Sequence, residues 1–141
     1  MTIAVNRDLE RLTSSGIELR DPAWDLRGRD VHDQLDEPFG VVADMLVDPA
    51  VREPRLLELE TTGGLLGFGK KRYLVPLEAV TGNDARTIYL DRIHDDVVAG
   101  PEYRPATEDE EEAQYAAAYR HYGIAPYWEH EAQTPSVIRG G

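Results

Sequence analysis

Apolar residues in the central part of the chain come in short runs, separated by glycine, proline and acidic residues. The longest run, Val41-Val42-Ala43-Asp44-Met45-Leu46-Val47, follows Gly40 and predicts a β-strand. Strict alternation puts Val41, Ala43, Met45 and Val47 on one face. Val42 and Leu46 fall on the other, with Asp44 between them. Both faces are mostly apolar, so a second layer is expected over this strand, supplied by the C-terminal tail or by another subunit.

Leu56 to Thr61 alternates more cleanly, with Leu57 and Leu59 inward and Glu58 and Glu60 outward. Arg72 to Val80 predicts a further strand, in which Pro76 marks an edge, a bulge or a strand end because it cannot donate to a ladder. Arg86 to Leu90 predicts another, with Ile88 and Leu90 inward, and Asp25 to Asp33 a first short strand kinked at Gly28. Turns are expected over Gln34–Phe39, between Asp48-Pro49 and Glu53-Pro54, and over Thr81–Asp84, with one helical turn within residues 92–100. Short strands at this spacing predict a mainly β chain, a small barrel or sandwich.

After residue 105 the pattern changes. Thr107 and Glu110 fit a capping box, five acids occupy 108–112, and the alanine-rich run to Tyr122 is free of proline and glycine. Gly123 supplies a stop. Tyr115, Tyr119 and Tyr122 fall on one face of this α-helix. An extended aromatic tail with Tyr127 and Trp128 follows, and residues 132–141 are expected to be disordered. At the other end, residues 1–20 are weakly patterned and expected to form a flexible arm. The organisation read from sequence is an arm (1–20), a β-domain (21–105), a helix (106–123) and an extended tail (124–141).

Four glycines fall within Gly63–Gly69, followed by Lys70-Lys71-Arg72 and an extended apolar run. Four pieces of the chain, in order, are Leu26-Arg27-Gly28-Arg29-Asp30-Val31, Gly40 to Asp48, Gly64 to Lys71, and Leu74-Val75-Pro76-Leu77-Glu78-Ala79-Val80. In these pieces, spanning roughly residues 22–104, the chain resembles the PRC-barrel family. That family includes the cytoplasmic domain of the photosynthetic reaction-centre H subunit and the C-terminal domain of a ribosome maturation factor. The resemblance implies a compact, strongly bent β-barrel acting as a protein-interaction or regulatory module. It implies no enzyme, since the family has no common catalytic residue set. Unlike those two members, this chain carries the tyrosine-bearing helix and aromatic tail after residue 105.

Charge narrows the partners. The net charge is -12, from 15 basic and 27 acidic side chains, and acids outnumber bases in each of the segments 1–24, 25–100 and 101–141. Nucleic-acid binding draws its affinity from basic side chains, so it is not expected here, and an anionic membrane surface is disfavoured likewise. The chain has no cysteine, which excludes disulfides, thiol nucleophiles and cysteine metal sites. Residues 1–24 contain no apolar run fit for a signal peptide or membrane span. A cytoplasmic protein is expected.

Candidate chemistry is sparse. Gly64 to Lys70 matches most of a phosphate-binding loop, but Lys71 stands where Ser or Thr would hold magnesium, and a strand follows instead of a helix. Anion or small-ligand binding by the Gly63–Arg72 loop, through Lys70, Lys71 and Arg72, remains the alternative function. His130-Glu131 lacks a second histidine at Thr134, and Asp30, Asp33 and Asp36 lack calcium-loop spacing. No metal, cofactor or catalytic set is expected. Tyr115, Tyr119, Tyr122, Tyr127 and Trp128 are the candidate partner-binding surface, since Tyr and Trp bury large areas while keeping a polar handle. Alternatively they cover the chain's own barrel. The expected function is a non-enzymatic interaction module that binds a protein partner or itself, as a homodimer.

Overall fold

The computed structural model describes residues 8–63 and 69–129. Its strands are β1 (Glu10–Arg11), β2 (Asp30–His32), β3 (Pro38–Asp48), β4 (Glu53–Thr61), β5 (Arg72–Pro76), β6 (Val80–Asn83) and β7 (Thr87–Leu90). Its α-helices are α1 (Leu12–Ser15), α2 (His94–Val98) and α3 (Glu108–Tyr122). The strands form one strongly curled half-barrel sheet in the order β5-β4-β3-β2-β7-β6. β1 and β2 share one edge of β3: Arg11 lies opposite Leu46, and Asp30 lies opposite Val41. The pairing of β2 with β7 is parallel and the other strand pairs are antiparallel.

Gly40 shows why this sheet needs glycine where β3 begins. A Cβ there would lie 2.6 Å from the Glu60 carbonyl oxygen, too close for any side chain. The interior cluster draws Val31, Val42, Met45, Val47, Leu57, Leu59, Val75, Ile88 and Leu90 from five strands. Fully burying each such side chain contributes about 1.5–3 kcal/mol, so this cluster is a large favourable term for the folded sheet.

Several elements depart from the sequence pattern. The ladder shifts register between Val42 and Asp44, so Ala43 is a bulge. The bulge reverses the phase of β3: Val42 joins Met45 and Val47 in the interior, while Leu46 belongs to the cluster on the opposite face. The expected strand from Asp25 to Asp33 shrinks to β2, because Pro22–Trp24 forms a 3-10 turn and Gly28 takes φ +82°. Pro76 ends β5, as its missing donor suggested, and a 3-10 turn at Leu77–Ala79 separates it from β6. β6 occupies the expected 81–84 turn. The turn moves on to Asp84, whose carboxylate accepts from the backbone N–H groups of Arg86 and Thr87 at 2.9 Å each.

The N-terminal segment is also more built than its sequence suggests. β1 pairs with β3, and Leu12 is buried in the interior cluster. At the C-terminal end, α3 matches its expected span and Gly123 stops it at φ +67°. Thr107 sits at the N-cap without a side-chain cap bond, so no capping box forms. Glu108, Asp109, Glu110 and Glu111 in the first turn complement the helix dipole instead. Residues 127–129 are helical rather than extended. Residues 1–7, 64–68 and 130–141 lie outside the described residues, and with them the centre of the glycine loop and the expected disordered end.

Candidate functional site

α3 lies over the face of β3, β4 and β5 that points away from the interior cluster. Leu46, Leu56 and Leu74 from these strands meet Tyr103, Tyr115, Ala118, Tyr119, Tyr127 and Trp128 in one buried cluster. The rings pack edge to face: Tyr119 to Trp128 at 5.8 Å and Tyr127 to Trp128 at 5.1 Å between centroids. The Arg55 guanidinium stacks over Tyr127 at 4.9 Å. Tyr122, one turn past Tyr119, reaches the interior cluster, and Arg92 lies over its ring at 5.4 Å.

The sequence left the C-terminal aromatic residues either as a partner surface or as cover for the chain's own barrel. Tyr115, Tyr119, Tyr122, Tyr127 and Trp128 are all buried within the chain, each at most 7% exposed. Tyr115, Tyr119, Tyr127 and Trp128 supply the second layer that the apolar outer face of β3 requires, Tyr122 joins the interior cluster, and none of the five is displayed as a free contact surface. Burial pushes the phenol groups of Tyr103, Tyr115, Tyr119 and Tyr122 well above their ordinary range. At Tyr103 the neighbouring carboxylate of Glu111, which accepts its O–H at 2.6 Å, adds to the effect.

The same covered layer holds two acids. Glu58 alternates outward, as its sequence position predicts, yet its side chain is fully buried, with Arg11 of β1 and Arg72 of β5 paired to it. Asp44, its cross-strand partner, is nearly as buried. Arg11 serves both: its Nη1 lies 2.9 Å from Glu58 and its Nε 3.4 Å from Asp44. Thr13 adds its backbone N–H and hydroxyl to Asp44 at 3.1 and 3.0 Å. Arg72 approaches Glu58 from the other side and pairs with Glu60 at 3.0 Å. Burial works against the charge on Arg11 and Arg72, and the Glu58 carboxylate outweighs it, holding both guanidiniums above their ordinary range.

Arg72 is therefore a structural cation. Lys71 lies 3.9 Å from Glu102, while Lys70 is exposed. The basic triplet does not converge on one point: its third member is turned into the sheet and its second toward an acid.

Three surface features escape the sequence pattern. Asp8, Glu108 and Glu112 bring carboxylate oxygens within 4.8 Å of one another beside a cavity of about 450 Å³. A hydrogen bond with Asp8 and the surrounding negative charge raise the Glu108 carboxyl above its ordinary value. A second cavity, of about 370 Å³, lies between the β3–β4 turn and the Pro22–Trp24 turn, with Trp24, Pro54 and Leu77 in its walls beside two bases, Arg20 and Arg52, and two acids, Asp21 and Glu53. Trp24 is 38% exposed there. Leu35, in the Asp33–Asp36 turn, is 68% exposed. These two are the exposed large apolar side chains among the described residues. In sequence the only signal is isolation: each stands outside any apolar period.

Among the described residues, no helix is long and apolar enough to cross a membrane. No family model matches the chain, and no curated protein matches it.

Proposed function

We propose that this protein is a non-enzymatic, cytoplasmic interaction module of the PRC-barrel type that associates with a second copy of itself. The observation that supports this reading is the use made of its buried carboxylates. Asp33 and Asp48 hold backbone turns, and Asp44 and Glu58 are matched to Arg11. These groups are committed to building a stable surface. The anion-binding alternative loses support, because Arg72 is engaged by Glu58 and Glu60.

Two differently tagged full-length copies, expressed together and captured through one tag at moderate salt, test the reading. Near-stoichiometric recovery of the second tag is expected. Capture of the bait alone, with no second copy and no stoichiometric partner, would overturn it.

A further inference from the structure

One edge of β3 is shared. β2 pairs with it as far as Val41, and past the Ala43 bulge the same edge is filled by β1, opposite Leu46 and Val47. A strand edge of this kind accepts an extended segment through main-chain hydrogen bonds, and side-chain pockets decide which segment fits. Two residues of pairing hold little by themselves, so residues 8–15 are seated as a strap chiefly by side-chain recognition. Arg11 supplies the cation for two buried acids, Asp44 and Glu58. Leu12 enters the interior cluster, and Thr13 donates to Asp44 through both its N–H and its hydroxyl. Arg27 donates to that hydroxyl at 3.1 Å. Lifting the strap leaves Glu58 with Arg72, and Asp44 with the Met45 N–H. The vacated edge is complementary in charge and shape to one succession, Arg11-Leu12-Thr13.

The strap joins the body through one residue. Gly16 ends α1 at φ +74°. Past it, Ile17 and Leu19 pack against the interior cluster, and the Arg20 N–H donates to the Arg52 carbonyl at 2.9 Å. At the other end the strap is set against like charge, because Asp8 brings a carboxylate oxygen within 4.8 Å of those of Glu108 and Glu112. It is therefore a recognition segment on a glycine hinge, held at its middle and repelled at its start. The strap of another chain makes the same contacts, so the hinge and the protein concentration decide which strap is seated.

We propose that this edge of β3 receives residues 8–15 of a second copy, each chain giving its strap to the other. The proposal rests on the self-association reading and gives it a surface. In a two-fold dimer the contact occurs twice, Arg11 of each chain reaching Asp44 and Glu58 of its partner. The short hinge sets the two acceptor edges side by side across the axis, and Gly16 leaves its left-handed conformation as the hinge opens.

The chain has no cysteine, so a designed pair reports which chain each strap lies on. Glu10 lies directly opposite Val47, and Glu10→Cys with Val47→Cys brings two thiols within disulfide range. The full-length variant is sized by sedimentation velocity, its dimer fraction is oxidised, and the product is run on a denaturing gel without reductant. Covalent dimers are expected. Disulfides closed within single chains of a dimeric protein overturn the exchange and leave self-association standing. Gly16→Ala decides independently, should the double variant fail to fold. A Cβ at Gly16 meets no atom within 4 Å, so the substitution acts on the left-handed turn alone. It is expected to tighten association by about tenfold, since an opened hinge no longer requires that turn. Association left unchanged or weakened by Gly16→Ala overturns the exchange. A wild type that stays monomeric at its highest soluble concentration overturns both the exchange and self-association.

Discussion

Asp44 and Glu58 are direct partners across β3 and β4, two acids side by side in a covered layer. Like charges in this position destabilise a sheet unless counter-charges reach them. Arg11 and Arg72 do so from two different strands, and the ion pairs therefore bind the N-terminal segment and the β5 edge to the centre of the sheet. Replacing Arg11 by Ala leaves both acids short of a partner. The expected loss is about 2 kcal/mol, reduced from a fully buried pair because Arg11 remains partly solvated. Urea unfolding of the variant checks it, and an unchanged midpoint would show that solvent already serves these carboxylates.

α3 contributes by covering the outer face of the sheet. Tyr119 is 1% exposed, so Tyr119→Ala is expected to cost about 3 kcal/mol, at the low end for an aromatic truncation in a core. Ending the chain after Pro105 removes Tyr115, Ala118, Tyr119, Tyr127 and Trp128 from over Leu46, Leu56 and Leu74 and leaves Tyr103. That truncated protein is expected to bind an apolar dye and to lose solubility. Full-length-like melting and solubility would mean that the outer face needs no cover.

Asp33 supplies a pH dependence. Backbone N–H groups of Glu37, His94 and Leu35 hold its carboxyl below the ordinary value of 3.8. A carboxyl lowered in the folded state binds fewer protons there than in the unfolded chain. Its contribution is therefore complete above pH 3.8 and lost as pH falls through the lowered folded value. Asp33→Asn is expected to melt earlier than wild type at neutral pH, with the gap closing in acid. A gap that is constant with pH would assign the effect to packing instead.

Glu108 has the opposite sign. Its carboxyl is raised, so the folded state binds the extra proton and stability falls as pH rises through that raised value. Glu108→Gln removes a like charge beside Asp8 and is expected to raise the melting temperature at neutral pH but not at pH 4. Calorimetry at the two pH values separates this from a general effect of net charge.

Much of the β architecture was legible because burial on one face of a strand imposes a period of two, visible in Leu57 and Leu59 or Ile88 and Leu90. Pro76 at a strand end and Gly123 at a helix stop were legible because each residue restricts its own backbone. The Ala43 bulge was not, since one extra residue reverses the phase without changing composition. Nor was the burial of Glu58: an outward acid reads the same whether water or the side chains of distant arginines lie over it. Arg11 draws its role from partners 33 and 47 positions away, and no local pattern records that. The five aromatic residues of the C-terminal region were recognisable as contact makers, but residue type does not say whose surface they contact. Trp24 and Leu35 carried no signal beyond isolation, because exposure is a property of the fold.

Hydrogen–deuterium exchange on the full-length protein, dilute and then concentrated, tests most directly whether the tyrosine helix is committed to its own sheet. Amides of residues 111–122 are expected to be protected already at dilution and to stay unchanged on concentration. Protection gained over 111–122 only on concentration would contradict this and return the partner surface to the aromatic helix.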